Sequence, residues 1–188
     1  GDIIKFIPRW VDGKFSWGTK VDSLVYKLGG NWSTVYDLEG KWINKLPFDI
    51  RKGNKVTKYY FTILNRDNSI GVISVGRTLM NIINDNSKEL FDIRSNYQLR
   101  IVSKLVSGYP SYEDSYVIQS DWSVPISDVE NGEEWKEFIK NGGPDLEGYF
   151  RSNGILGRRM ELMECFGSDV IGEIISSERE RRLNELGI

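Results

Sequence analysis

With no histidine and one cysteine, Cys165, this chain lacks the commonest general base and the commonest metal ligand and cannot form an intrachain disulfide. Ser–His–Asp and Cys–His arrangements are therefore impossible. No Gly-x-x-x-x-Gly-Lys-Ser/Thr loop is present to cradle a phosphate, and no Gly-x-Gly-x-x-Gly follows a strand. The adjacent carboxylates Glu113-Asp114 and Glu133-Glu134 diverge on a strand or a helix, so neither is an acid–base dyad by itself. A magnesium-dependent nuclease needs acids converging from separate strands, and no spacing here points to one. The expectation is a protein that is not an enzyme and has no cofactor, with Cys165 as a small buried apolar residue.

The residues that remain suit noncovalent chemistry. Stacking of flat ligands needs exposed aromatic faces, and tracking a phosphate backbone needs Lys and Arg. Arg51, Lys52, Lys55 and Lys58 run into Tyr59 and Tyr60, which a strand would send to opposite faces. Arg77 stands beside Gly76 at the start of a predicted helix, where free N–H groups also favour anions. Arg94, Arg100 and Lys104 add charge. Tyr109, Tyr112 and Tyr116 crowd a polar stretch containing Gly108 and Pro110, and loops are where ligand contacts tend to sit. Packing of these tyrosines over the end of a sheet is the alternative reading.

The elements that must position these residues follow from pattern. Residues 3–7 read as a strand stopped by Pro8, and 23–28 as a second strand ended by Gly29-Gly30. The polar and aromatic stretch 32–43 reads as a hairpin, and 47–55 as a loop. Residues 56–64 are the strongest strand, rich in β-branched and aromatic types. A turn at 65–68 leads to a returning strand at 70–75. Leu79, Ile82 and Ile83 then fall on one helical face, closed by Asn84-Asp85-Asn86. A strand at 97–106, a loop at 108–115 and a short strand at 116–119 follow. Helices are predicted at 133–140, 154–166 and 169–186, with the charged stretch 176–186 projecting from the core. The order β-β-β-α-β-β fits a mainly β fold, an OB-type five-stranded barrel, with a helical segment after it. The expected domains are a core at 1–126 and an acidic helical segment at 127–188.

Charge is unevenly spread: residues 1–110 hold 17 Lys and Arg against 10 Asp and Glu, whereas 111–188 hold 8 against 17. Such asymmetry suggests a polyanion site on the first part, unless it reflects two solvated surfaces. No apolar run approaches a membrane span and the first residues do not read as a signal peptide, so a soluble intracellular protein is expected.

The segment Leu105-Val-Ser-Gly-Tyr-Pro-Ser-Tyr-Glu-Asp-Ser115, followed by Val124-Pro-Ile126, resembles the single-stranded-DNA-binding (helix-destabilising) proteins of T-even-type bacteriophages. Ile3–Pro8, Thr57–Leu64 and Val75–Ile83 resemble that family's first strand, central aromatic strand and strand-to-helix junction, so the likeness runs patchily over about residues 1–126. The resemblance implies an OB-fold core that binds single-stranded DNA without sequence preference in replication, recombination and repair, in the cytoplasm of an infected bacterium. It places Tyr59, Tyr60, Tyr109 and Tyr112 in the DNA cleft, with Lys55 and Arg77 beside them; Lys52, Lys58, Arg100, Lys104 and Tyr116 complete the expected DNA-binding set. It also implies that acidic residues in 128–147, near Trp135 and Phe138, recruit replication or recombination proteins or restrain duplex invasion; a solvated helical flank is the alternative reading. The sequence departs from the family in having no residues for its zinc site and a thinner basic run before the central strand. Trp32, Trp42 and Phe48 are expected to hold the early strands in place of zinc. An OB-type interaction module of a replisome or virion is the alternative function.

Overall fold

The computed structural model describes residues 1–11, 13–47, 53–122, 124, 133, 137 and 144–188. These form a mainly β protein with several helices, some of them C-terminal. Packing divides them into two compact units. One comprises Gly1–Thr19 and Tyr59–Pro144, the other Lys20–Lys58 and Asp145–Ile188. The expected boundary after residue 126 falls outside the described residues, as do Phe48, Trp135 and Phe138.

The first unit begins with β1 (Ile3–Ile7), buried on both sides of the strand. A short hairpin, β2 (Arg9–Val11) with β3 (Lys14–Ser16), follows. The long strand β6 (Gly53–Asn65) enters the unit at Tyr59 and turns back into β7 (Ile70–Val75), pairing Tyr59 with Val75 and Leu64 with Ile70. Helices α1 (Arg77–Asp85) and α2 (Ser87–Leu90) lead to β8 (Tyr97–Arg100). A separate hairpin, β9 (Lys104–Val106) with β10 (Tyr109–Ser111), interrupts the chain before β11 (Tyr116–Gln119). The strand order is β11-β8-β1-β6-β7, with every pairing antiparallel.

This sheet is strongly curled. Ile73 and Ser74 on β7 align with Phe61 and Tyr60, while Ile101 lies just beyond the pairs Arg100–Ile3 and Ile4–Asn65. Laid flat, strand spacing and rise would separate them by about 20 Å or more. They instead line one cleft. The concave side holds Ile4, Phe6, Phe61, Ile63, Val75 and Leu99 against Leu79 and Ile83 of α1 and Leu90 of α2. A closed barrel was expected, but among the described residues no pairing joins β7 to β11, and the sheet stays open along that seam. The expected strand at 97–106 is also corrected. It breaks after Arg100, and the expected loop at 108–115 supplies the return strand of a hairpin, turned by Ser107 (φ 53°) and Gly108 (φ 82°). Positive φ at both central residues matches the right-handed twist of the flanking strands.

Lys5 lies on the far face of β1 and is 1% exposed. Its ammonium donates to the Ser95 carbonyl. Burial pushes its pKa down, while Asp92 pulls it back up.

The second unit is built from β4 (Thr19–Leu28), β5 (Asn31–Asp37), the first part of β6 and three helices, α3 (Leu146–Ser152), α4 (Arg159–Phe166) and α5 (Ser168–Glu185). β4 pairs with β5 from Asp22–Asp37 to Leu28–Asn31 across Gly29-Gly30, both at positive φ. The hairpin expected within 32–43 is therefore formed with the preceding strand instead. Asp37 ends β5 and takes hydrogen bonds from the N–H groups of Lys41, Trp42 and Ile43 (3.1, 2.8 and 3.0 Å). The core joins Leu24, Tyr26, Val35, Trp42 and Ile43 to Ile155, Leu162, Phe166, Ile171, Ile174 and Ile175. Trp42 holds the early strands, as expected, whereas Trp32 is 66% exposed and does not. Cys165 is buried in this core.

The charged stretch 176–186 does not simply project. Glu178 is 4% exposed. It sits 3.0 Å from Arg181 and 3.7 Å from Lys45, and Arg181 also reaches Glu39 at 2.8 Å. Lys41 pairs with Glu39 and Glu185. Part of the charge asymmetry is thus consumed inside this unit, where basic residues of 20–58 meet acids of the last helix.

Tyr26 is fully buried and its hydroxyl donates to Glu161 Oε2 at 3.0 Å. Burial first, then that hydrogen bond, pushes its pKa up to about 12. A phenol with a raised folded pKa stabilises the fold below its unfolded value, about 10, and loses that contribution as pH climbs through the folded value. Absorbance at 295 nm should show a tyrosine titrating near pH 12, and thermal stability should fall as pH rises past about 10. Tyr26→Phe should abolish that late step and cost about 1 kcal/mol at neutral pH, the worth of one buried hydrogen bond.

Candidate nucleic-acid interface

The cleft in the first unit has a volume of about 510 Å³. Ile73, Ser74, Gly76 and Leu79 form one wall, from the free side of β7 to the first turn of α1. Ile101, Val102, Ser103 and Tyr112 form the other, with Gly1 and Asp2 at its end. The backbone on this side is held in place. Ile101 donates to the Asp2 carbonyl at 2.8 Å, and the Ser115 hydroxyl accepts from Val102 N–H at 3.0 Å. The cleft is thus lined by apolar residues, two serines and one tyrosine.

Tyr112 is half-buried, packs against the concave core and is one of the residues lining the cleft. Arg77 is exposed as the first residue of α1, directly after the cleft-lining Gly76. The first N–H groups of a helix have no partner within it and carry positive partial charge, so this corner favours an anion. Tyr109 is 76% exposed on the β9–β10 hairpin, opposite Val106. Tyr116 is 47% exposed and pairs with Arg100, whose guanidinium carbon lies 6.0 Å from the ring centre.

The other expected residues fare differently. Tyr59 is half-buried against the concave core, and Tyr60, paired with Ser74, lies on the other face of β6. They lie on opposite faces of β6, as the strand spacing predicts, and neither is among the residues that line the cleft. Lys104 is bound to Asp114 at 2.7 Å, and that hydrogen bond raises its pKa. Lys55 and Lys58 belong to the second unit. Lys55 pairs with Asp22 at 3.2 Å and donates to Asn44 at 3.0 Å, whereas Lys58 is exposed. Lys52 lies outside the described residues. The structure therefore puts Tyr112 in the lining of the cleft, Arg77 directly after the lining Gly76, and Lys104 with Tyr109 on one hairpin.

Sequence reasoning missed Ile73, Ser74 and the stretch 101–103 as cleft walls. Their positions depend on the curl of the sheet. It also missed an exposed edge-to-face pair, Trp10 and Phe15, on the β2–β3 hairpin (centroids 4.9 Å apart). The Ser107-Gly108 dipeptide was the available signal for the β9–β10 hairpin.

Among the described residues no group of three or more acidic or cysteine side chains is placed to hold a metal ion, and no helix is long and apolar enough to cross a membrane. The chain matches no protein-family model, and no curated protein is significantly similar to it in sequence.

Proposed function

We propose that the first unit is an OB-type barrel with one open seam, that it binds single-stranded DNA without sequence preference, and that it performs no catalysis. The cleft is the observation that carries this reading. It brings Tyr112, two serines and the residue before the start of α1, Gly76, together on a curled five-stranded sheet, and Arg77 follows Gly76. Topology supports it. β1, β6 and β7 form a meander, a helix intervenes, and β8 returns to the other side of β1 with β11 outside it. This is the strand order of an OB barrel, a partly open fold that binds oligonucleotides across its second and third strands and through the loops after its first and fourth. The β9–β10 hairpin with Tyr109 is the loop after the fourth strand. Stacking on Tyr109 and Tyr112 would supply about 1–3 kcal/mol per base, and Arg77 a phosphate contact.

On this reading the protein coats single strands exposed during bacteriophage replication, recombination and repair. Replication or recombination proteins are the proposed partners of the acidic stretch 128–147, most of which lies outside the described residues.

A titration of the intact protein with oligo-dT tests the proposal. Tyrosine and tryptophan fluorescence should quench on binding at low salt, and the apparent affinity should fall steeply as salt rises, because displaced counterions drive the phosphate contacts. Unchanged fluorescence and unchanged mobility at saturating oligo-dT would overturn it and leave the interaction-module reading.

A further inference from the structure

Three cations of the expected DNA-binding set lie in the first unit, and they are not equivalent. Arg77 and Arg100 form no ion pair among the described residues, whereas the Lys104 ammonium lies 2.7 Å from the Asp114 carboxylate. The fold itself sets this pair up. Ser115 is 6% exposed, and its hydroxyl accepts from the Val102 N–H at 3.0 Å and donates to the Val102 carbonyl at 3.3 Å. One hydroxyl can do both, because it has a proton to give and lone pairs to offer. A turn closes from the Ser115 N–H to the Tyr112 carbonyl at 3.1 Å. These bonds moor the turn 112–115 to the backbone at Val102, two residues before Lys104, and Asp114 is thereby carried to the lysine.

The register shows what this costs the hairpin. Lys104 pairs with Ser111 and Val106 with Tyr109, so Lys104 and Tyr109 share one face. That face offers an aromatic ring and a cation together, the combination that a stacked nucleotide needs. Asp114 already neutralises the cation. The two side chains are 44% and 54% exposed. An ion pair so open to water is weak, so a phosphate can take the place of the carboxylate. The exchange gains little, however. One anionic contact is given up for the one made, and the freed carboxylate gathers a cation where the phosphate releases one.

We propose that Asp114 is a built-in counter-ion that withholds Lys104 from single-stranded DNA, so that the phosphate backbone must compete with this carboxylate for the lysine. The inference rests on the single-strand-binding reading and adds to it a residue that restrains affinity. Its consequence is that Lys104, although a cation on the Tyr109 face, contributes little to the salt dependence of binding until Asp114 is neutralised.

The test is an oligo-dT titration of the intact protein over a range of salt concentrations. Asp114→Asn keeps the size of the side chain and removes its charge. It should bind up to about fivefold tighter than wild type at low salt, the most that an exposed ion pair is worth. Its slope of log affinity against log salt should be steeper by about 0.7, for one added phosphate contact. That amounts to about 2.6-fold more affinity lost between roughly 50 and 200 mM salt. The same substitution made in Lys104→Ala should change neither affinity nor slope, since the lysine it would release is absent. Wild-type affinity and slope in Asp114→Asn would overturn the proposal. So would equal tightening with and without Lys104, which would make Asp114 a general source of repulsion. Wild type that fails to bind oligo-dT at low salt would overturn the single-strand-binding reading and the proposal with it.

Discussion

Removing residues 127–188 should unfold residues 20–58. The second unit is assembled from two distant stretches of chain, and the later one supplies half of its core. Ile155, Leu162, Phe166, Ile171, Ile174 and Ile175 are each no more than 5% exposed and pack with Leu24, Tyr26, Val35, Trp42 and Ile43. At about 1.5–3 kcal/mol for each buried side chain, their loss removes on the order of 10 kcal/mol. That is comparable with the whole stability of an ordinary domain, about 5–15 kcal/mol. The loss also strips Tyr26 of its hydrogen-bond partner and leaves Lys45 without Glu178. The first unit keeps its own clusters around Phe6, Phe61 and Leu99 and around Ile7 and Leu64, and all of those residues precede 127. In hydrogen exchange, amides of Leu24 and Val35 should lose protection in the 1–126 fragment while those of Phe61–Leu64 keep it. Protection at Leu24 and Val35 equal to that of the full chain would refute the co-folding. A point variant grades the effect. Leu162→Ala, at a site with no exposure, should cost about 2–5 kcal/mol.

The legible parts of this fold were those fixed by local pattern. Ile3–Ile7, the aromatic strand through Tyr59–Leu64, the return at Ile70–Val75 and the helix with Leu79 and Ile83 inward all follow from periodicity and turn residues. The illegible parts depend on which distant segments meet. Nothing local in Lys20–Lys58 says that its apolar face is completed from beyond residue 145, since Leu24, Tyr26 and Val35 would suit any partner surface. Glu178 looked like one more solvated acid in a charged helix and is buried because Lys45 and Arg181 converge on it. The same pairing balances part of the basic charge of residues 20–58 within the second unit. Lys41, Lys45 and Lys55 already have carboxylate partners within their own unit. The site was half legible. The tyrosines announced themselves by crowding a polar stretch, but the cleft wall opposite Tyr112 arises from sheet curl, which no short segment encodes.

Tyr109→Ala and Tyr112→Ala should both weaken oligo-dT binding, and only the second should weaken the fold. Each removes one stacking face, worth about 1–3 kcal/mol, or roughly 5- to 150-fold in affinity. Tyr109 is 76% exposed. Its loss removes one cross-strand contact with Val106 and leaves the core clusters intact, so the melting temperature should stay near wild type. Tyr112 also packs on the core that holds Phe6, Phe61 and Leu99, so its truncation opens space there and should lower the melting temperature measurably. Arg77→Ala completes the set by changing a different observable. It removes a charge and no ring, so the slope of log affinity against log salt should become shallower by about 0.7, the increment for one phosphate contact on a single strand. Quenching by saturating oligo-dT should survive in Arg77→Ala and shrink in both tyrosine variants. Affinity unchanged in both tyrosine variants, with Arg77→Ala also leaving the salt slope unaltered, would mean that DNA, if bound, lies elsewhere on the molecule. The exposed pair Trp10 and Phe15 on the β2–β3 hairpin, in the loop after the first strand, would then be the next aromatic surface to truncate.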